Sequence, residues 1–180
     1  MALSPNFAGT WNIDPSHSQL GFMVRHAMVT KTRGQFTDYT GSFTIDPENV
    51  NNAANVVIQA TSIDTGNADR DGHVRTGDFF EVEKYPEITF VATDAKVTGD
   101  NEGVLTGDLT IKGVTKSIDL DVEFEGTNVD AYDLERIGLT ASGSINRKDF
   151  GVDWQAPLNS GVMVSDKVVL EIEISAVKAQ

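Results

Sequence analysis

The chain has 180 residues, 39% of them hydrophobic and 23% charged, and it contains no cysteine. That length supports one well-cored domain, 1–180, with no apolar run long enough for a transmembrane helix and no means of forming disulfides or thiolate metal sites. With 27 acidic against 14 basic residues the net charge is -13, so the surface as a whole repels phosphate backbones and anionic lipid headgroups. This argues against nucleic-acid partners and non-specific membrane-surface binding, and the lack of a spanning run argues against integral membrane association.

The start, Met1 to Trp11, has neither a basic n-region nor an apolar h-region, so it reads as a cytoplasmic product. Trp11 to Asp14 form a short strand that Pro15 ends. Leu20, Phe22 and Val24 then alternate with Gln19, Gly21 and Arg25, the mark of a half-buried strand. After a break near Met28 to Lys31, Phe36 falls on an even position but Tyr39, Phe43 and Ile45 fall on odd ones. This change of parity predicts a bulge at Thr37-Asp38. The turn Asp46-Pro47-Glu48-Asn49, with Asn51-Asn52, leads into the β-branched run Val56 to Ile63.

The stretch from Asn67 to Phe80 breaks the alternation and reads as a helical insertion near residues 67–82. Asn67 is a good N-cap, Asp69 and Asp71 suit the first turn, Arg75 suits the last, and Gly77 can take the left-handed position beyond it. Asp78 and Glu81 have capping-box spacing for a second short turn carrying Phe79 and Phe80, stopped at Tyr85-Pro86.

Alternation then resumes. Ile88, Phe90 and Ala92 share one face; a hairpin loop at 99–103 returns the chain through Leu105, Gly107, Leu109 and Ile111, and Lys112-Gly113-Val114-Thr115 turns it again. Ile118, Leu120, Val122 and Phe124 are set against Asp119, Asp121, Glu123 and Glu125, a pattern that requires a sheet with one wet side. Ile137 to Ile145 and Val168 to Ala176 continue in that style. Short turns between such segments indicate an all-β antiparallel meander, and about eight long strands indicate a closed barrel. Ala92, Gly107, Ala141 and Gly143 are small where a packed interior needs bulk. On pattern alone, a hollow interior and one filled by the protein's own aromatics fit equally.

Several of these segments together resemble the YceI-like family of lipocalin-like polyisoprenoid-binding proteins. They are Trp11-Asn12-Ile13-Asp14-Pro15-Ser16-His17-Ser18, Phe22-Met23-Val24-Arg25-His26, Arg70-Asp71-Gly72-His73-Val74-Arg75, Tyr85-Pro86-Glu87-Ile88-Thr89-Phe90, the run Gly107 to Lys116, and Asn146-Arg147-Lys148-Asp149-Phe150-Gly151. The resemblance runs in order from Trp11 to the C-terminus. It implies a lipocalin-like barrel whose elongated apolar cavity holds an isoprenoid lipid, such as a quinone tail or a prenyl lipid, for binding, storage or transport, often in a homodimer. No metal or further cofactor is implied.

Tail-lining candidates are Leu20, Phe22, Val24, Phe36 and Phe43 from the first half of the chain, and Phe79, Phe90, Leu109, Ile145 and Trp154 from the rest. Arg25, His26, Arg70, His73, Arg75 and Arg147 are candidates for a polar mouth that reads the head group. The competing reading of the helix charges is that they fix the insertion to the sheet; for Trp11 and His17 it is a buried structural hydrogen bond. Two rival functions are a filled barrel acting as an interaction or stress-protective module, and a hydrolase using His17, His26 or His73. No nucleophile elbow, HExxH or Gly-rich phosphate loop supports the hydrolase, and the expectation is that the protein is not an enzyme.

Overall fold

A computed structural model describes residues 3–48, 52–158 and 161–180. Its strands are β1 Gly9–Ile13, β2 Gln19–His26, β3 Thr30–Phe36, β4 Tyr39–Ile45, β5 Ala53–Gln59, β6 Ile63–Asp64, β7 Glu87–Gly99, β8 Glu102–Ile111, β9 Val114–Val129, β10 Glu135–Asn146, β11 Pro157–Leu158, β12 Gly161–Val162 and β13 Lys167–Lys178. Among the described residues there is one α-helix, α1, at Ala68–Val74, with four short 3-10 turns at Pro5–Phe7, Pro15–His17, Ala60–Ser62 and Arg147–Phe150.

Three of the barrel's strands are interrupted. β1 and β2 lie end to end along β13, which pairs with β1 through Ala176 to Lys178 and with β2 through Val169 to Glu173. β4 and β3 follow on β1 and β2, and β5 and β6 on those in turn. Counting each interrupted pair once gives an eight-stranded antiparallel meander, closed where the last strand meets the first. The ring closes through β5 and β7; β6 pairs with β3 alone, and on its other side Arg75, just after α1, donates to the Ile63 carbonyl (3.1 Å).

The parity change at Thr37-Asp38 marks one of these interruptions and is not a bulge: β3 ends at Phe36, β4 begins at Tyr39, and Thr37 N–H donates to the Ser62 carbonyl (3.3 Å). True register shifts occur at Ala92/Asp94, Val97/Gly99 and Gly138/Leu139, within long strands that must curve around the barrel. Between β8 and β9, Lys112 and Gly113 both have positive φ (52° and 75°), as a tight two-residue hairpin turn demands. Of the turn read before β5, Asp46 to Glu48 are described; Asn49, Val50 and Asn51 lie outside the described residues.

The insertion begins as its sequence predicts, with the Asn67 side chain accepting from Arg70 N–H (2.9 Å). It ends differently. Gly77 is not left-handed; Glu81 is, with φ 50°. Asp78 does not cap a second turn, because its carboxylate faces His73 at 2.8 Å, and Phe79 and Phe80 sit on successive turns and not on a helix.

At the far end of the barrel, the Pro5–Phe7 turn lays Phe7 on Phe124, ring centroids 4.8 Å apart. Trp11, 1% exposed, donates its indole N–H to the Phe7 carbonyl (2.9 Å), so its buried structural hydrogen bond is present. His17 instead is exposed, on the surface beside Asp14.

The closing seam is held by charge. Arg136 on β10 bonds Asp130 (2.7 Å) and Asp14 (2.9 Å). The Ser16 hydroxyl, and after it Arg136 and His17, hold the Asp14 carboxyl well below the usual carboxylate range against an opposing effect of burial. A carboxyl depressed in the folded state stabilises fully above its unfolded pKa, about 4, and that contribution disappears as pH falls through the folded value. Asp14→Asn is therefore expected to flatten the acid side of a melting-temperature profile below about pH 4. An unchanged acid limb would show that Asp14 is not a stabilising titrating group.

Candidate functional site

The barrel encloses a cavity of about 520 Å³, within the range of roughly 300–1,000 Å³ of small-molecule sites. Ile13, Ile45 and Ala54 line one end, and His73, Phe79 and Trp154 the other. The wall between is built by strand alternation: Ile118, Leu120, Val122 and Phe124 from β9, and Val168, Leu170, Ile172 and Ile174 from β13. The carboxylates that alternate with the β9 residues, Asp119 to Glu125, are exposed on the outer face.

All ten tail-lining candidates face this cavity: Leu20, Phe22, Val24, Phe36, Phe43, Phe79, Phe90, Leu109, Ile145 and Trp154. The small residues divide into two kinds. Gly107 lies under the Phe90 ring, and a Cβ on Gly143 would stand 2.9 Å from the Asp119 carbonyl oxygen, so those two admit neighbours. Ala141, by contrast, lines the cavity. Leu3, Val74, Phe80, Met163 and Val164 also line it and were not singled out from sequence. No local periodicity marks Leu3 or Phe80, which reach the cavity from a non-strand segment; Phe80 meets Phe36 edge-on at 6.0 Å.

Of the polar candidates, Arg25, His26, Arg70, His73 and Arg147 line the cavity and Arg75 does not. Arg75 donates to the carbonyls of Thr61 (2.8 Å) and Ile63 (3.1 Å), tying α1 to the chain that enters it. Arg70 is tied to Thr65 through its side-chain oxygen (2.7 Å) and carbonyl (2.8 Å), while buried Asp71 accepts from Thr65 N–H (3.0 Å). The insertion is thus fixed by hydrogen bonds to Thr65 and to strand carbonyls. Arg147 is 5% exposed and donates to the carbonyls of Val152 (2.8 Å), Ser165 (3.0 Å) and Val164 (3.3 Å). Burial pulls its pKa down, with the carboxylates of Asp166 and Asp153 acting in the opposite direction. Its role at the mouth is architectural.

His73, Phe79 and Trp154 make a three-ring cluster with centroids 5.0 to 5.3 Å apart, His73 edge-on to both partners. Such edge-to-face contacts fix ring orientation. The cluster stands where the apolar wall meets the hydrophilic side chains of Thr32, Thr65 and Arg70.

A Ser-His-Asp grouping does occur, but on the surface. Ser16 Oγ (3.0 Å) and Asp14 Oδ2 (2.8 Å) both face the same nitrogen, His17 Nδ1, which leaves no bridge from acid through imidazole to nucleophile. His17 is outside the cavity, and His26 and His73 lie on separate elements. Among the described residues no group of three or more His, Asp or Glu is placed to hold a metal ion.

The YceI-like domain model matches residues 11–176. A UPF0312 protein of Photorhabdus laumondii is 42% identical over 150 residues, covering 82% of this chain and 78% of that protein. Among solved structures, the YceI protein of Campylobacter jejuni is 32% identical, covers 87% of this chain and 90% of its own, and superposes with a TM-score of 0.75. A domain of Saccharophagus degradans described as polyisoprenoid-binding superposes with a TM-score of 0.72 at 18% identity, covering 94% and 98%; that likeness is one of fold.

Proposed function

This chain belongs to the YceI-like domain family, and on that premise we propose that it binds an amphiphilic isoprenoid lipid, with the tail in the barrel and the head group at the α1 end. One observation carries the proposal: the inner faces of a closed sheet surround an apolar void of about 520 Å³ that the protein's own rings do not fill. Lipid binding is consistent with the polyisoprenoid-binding neighbour. The head group reads best as a quinone ring. Burying a tail gains about 0.8 kcal/mol per CH₂ from water, but a bilayer offers its tails the same environment, so selectivity has to come from the polar end. A diphosphate needs two or more free cations. Arg147 is consumed by three carbonyls and Arg70 by Thr65, which leaves Arg25 as the one arginine of the described lining not so engaged. A flat ring instead meets the Phe79 and Trp154 rings and a polarisable neighbour in His73. We read the protein as a carrier or store in preference to a hydrolase: among the described residues neither His26 nor His73, the histidines of the cavity, stands between a nucleophile and an acid, and the His73 ring hydrogen-bonds Asp78 alone (2.8 Å).

The test is native mass spectrometry on delipidated protein offered a long-chain isoprenoid quinone, the matching prenyl alcohol and the prenyl diphosphate. One quinone per chain is expected, held about tenfold or more tightly than the alcohol. Failure to take up any of the three overturns the carrier reading; preference for the diphosphate overturns the head-group assignment.

A further inference from the structure

We propose that the β2–β3 hairpin is a docking element for bilayers bearing anionic headgroups, set against the end of the barrel where the cavity meets α1. The proposal does not depend on which lipid the cavity holds. From Pro15 to Thr37 the chain has no acidic residue, although it carries 27 elsewhere, and it holds Arg25, His26, Lys31 and Arg33. On a protein of net charge -13 this is a local reversal of sign.

The register makes the reversal sharper. Arg25 stands directly opposite Lys31 across the two strands. Like charges facing each other in an antiparallel pair destabilise it unless an anion lies between or above them. Arg33 differs, since it meets Glu171 at 3.5 Å. Beyond the cations the tip Ala27-Met28-Val29 exposes apolar side chains, Met28 at 48% and Val29 at 78%. Turn residues with positive φ are ordinarily glycine or asparagine, yet Ala27 (φ 50°) and Met28 (φ 62°) hold these positions. The tip is braced, with Ala27 N–H donating to the Met163 carbonyl (2.8 Å) and His26 bridging to Val164. His26, Met163 and Val164 line the cavity. Apolar residues at the apex with cations one step behind match the order of acyl chain and phosphate in a lipid leaflet. The acidic remainder of the surface is repelled by the same leaflet, so only a hairpin-first approach is favourable.

The experiment is flotation of the intact protein with vesicles of phosphatidylcholine, with and without phosphatidylglycerol, in the absence of any isoprenoid. Binding is expected only to the phosphatidylglycerol vesicles and is expected to fall with added salt. Val29→Asp and Lys31→Glu should each weaken it about tenfold or more. Lys31→Glu also puts a carboxylate opposite Arg25, so its melting temperature should hold or rise, and lost binding then cannot be attributed to unfolding. Lys116→Glu, on β9 three strands away around the barrel, should float like the parent. Equal binding to neutral vesicles, undiminished binding by Lys31→Glu, or an equal loss by Lys116→Glu overturns the proposal. Loss by Lys31→Glu with none by Val29→Asp overturns insertion of the tip. Isoprenoid uptake from detergent by the Val29 and Lys31 variants is expected to be unchanged, so this proposal and the carrier reading fail separately.

Discussion

Ala141→Trp is expected to abolish isoprenoid uptake while leaving a folded barrel. Ala141 lies mid-strand on β10, in register with Val122 on one side and Ile172 on the other, and all three line the cavity. An indole added there projects into space that the native side chains leave open. The overpacking cost is about 1–3 kcal/mol, which a domain of this size tolerates. Blocking the middle of the tunnel should lower affinity for a long tail by about 100-fold or more. The companion change Glu123→Gln, on the outer face, is expected to bind like the parent. Native mass spectrometry and near-ultraviolet circular dichroism together check both parts. A well-packed Ala141→Trp protein that still takes up one quinone per chain would place the ligand outside the barrel.

Arg147→Met should produce the largest loss of stability, about 3–5 kcal/mol. Its guanidinium is the shared donor for the carbonyls of Val152, Val164 and Ser165; removing it takes the side-chain donor from Val152 and Ser165 at a buried site, while Val164 keeps the Gln155 amide (2.7 Å). The Asp166 carboxylate, 3.7 Å away, loses a cation as well. Arg147→Lys should recover only part of the loss, because an ammonium cannot spread its donors across three carbonyls as a planar fork does. Urea denaturation followed by tryptophan fluorescence checks this directly, since Trp154 sits on the same segment. A loss below about 1 kcal/mol would mean that the carbonyls find other donors.

Arg147 also shows where reading the sequence reaches its limit. Strands, their inner faces and the outer carboxylate rows were legible because a period of two is a local property, visible in Ile118 to Glu125 without knowing any partner. For the same reason eight of the ten tail-lining candidates could be placed on strand faces that prove to point inward; Phe79 and Trp154 line the cavity from outside the strands. What a cation does is decided by partners far along the chain. Arg147 looks like an anion-binding residue in sequence and is a brace in three dimensions; Arg75 likewise reaches back to Thr61 and Ile63. Phe7 stacking on Phe124 was hidden for a related reason, since the contact joins residues far apart in the chain. The Thr37-Asp38 parity change was detected, but its meaning was not: a bulge and an interrupted strand leave the same trace in one dimension.

The pairing of β13 with β10 on one side and with β1 and β2 on the other sets the order of assembly. Seven of the eight staves can form hairpins with their immediate neighbours, but the cylinder stays open until the final stave has been synthesised. Those contacts span nearly the whole chain, so high contact order should make closure the slow event of folding. Until then two unsatisfied edges face solvent or a chaperone, with the greasy lumen unroofed. Damage to β13 should therefore appear first as poor yield and aggregation during biosynthesis, before any change in cargo preference is measurable.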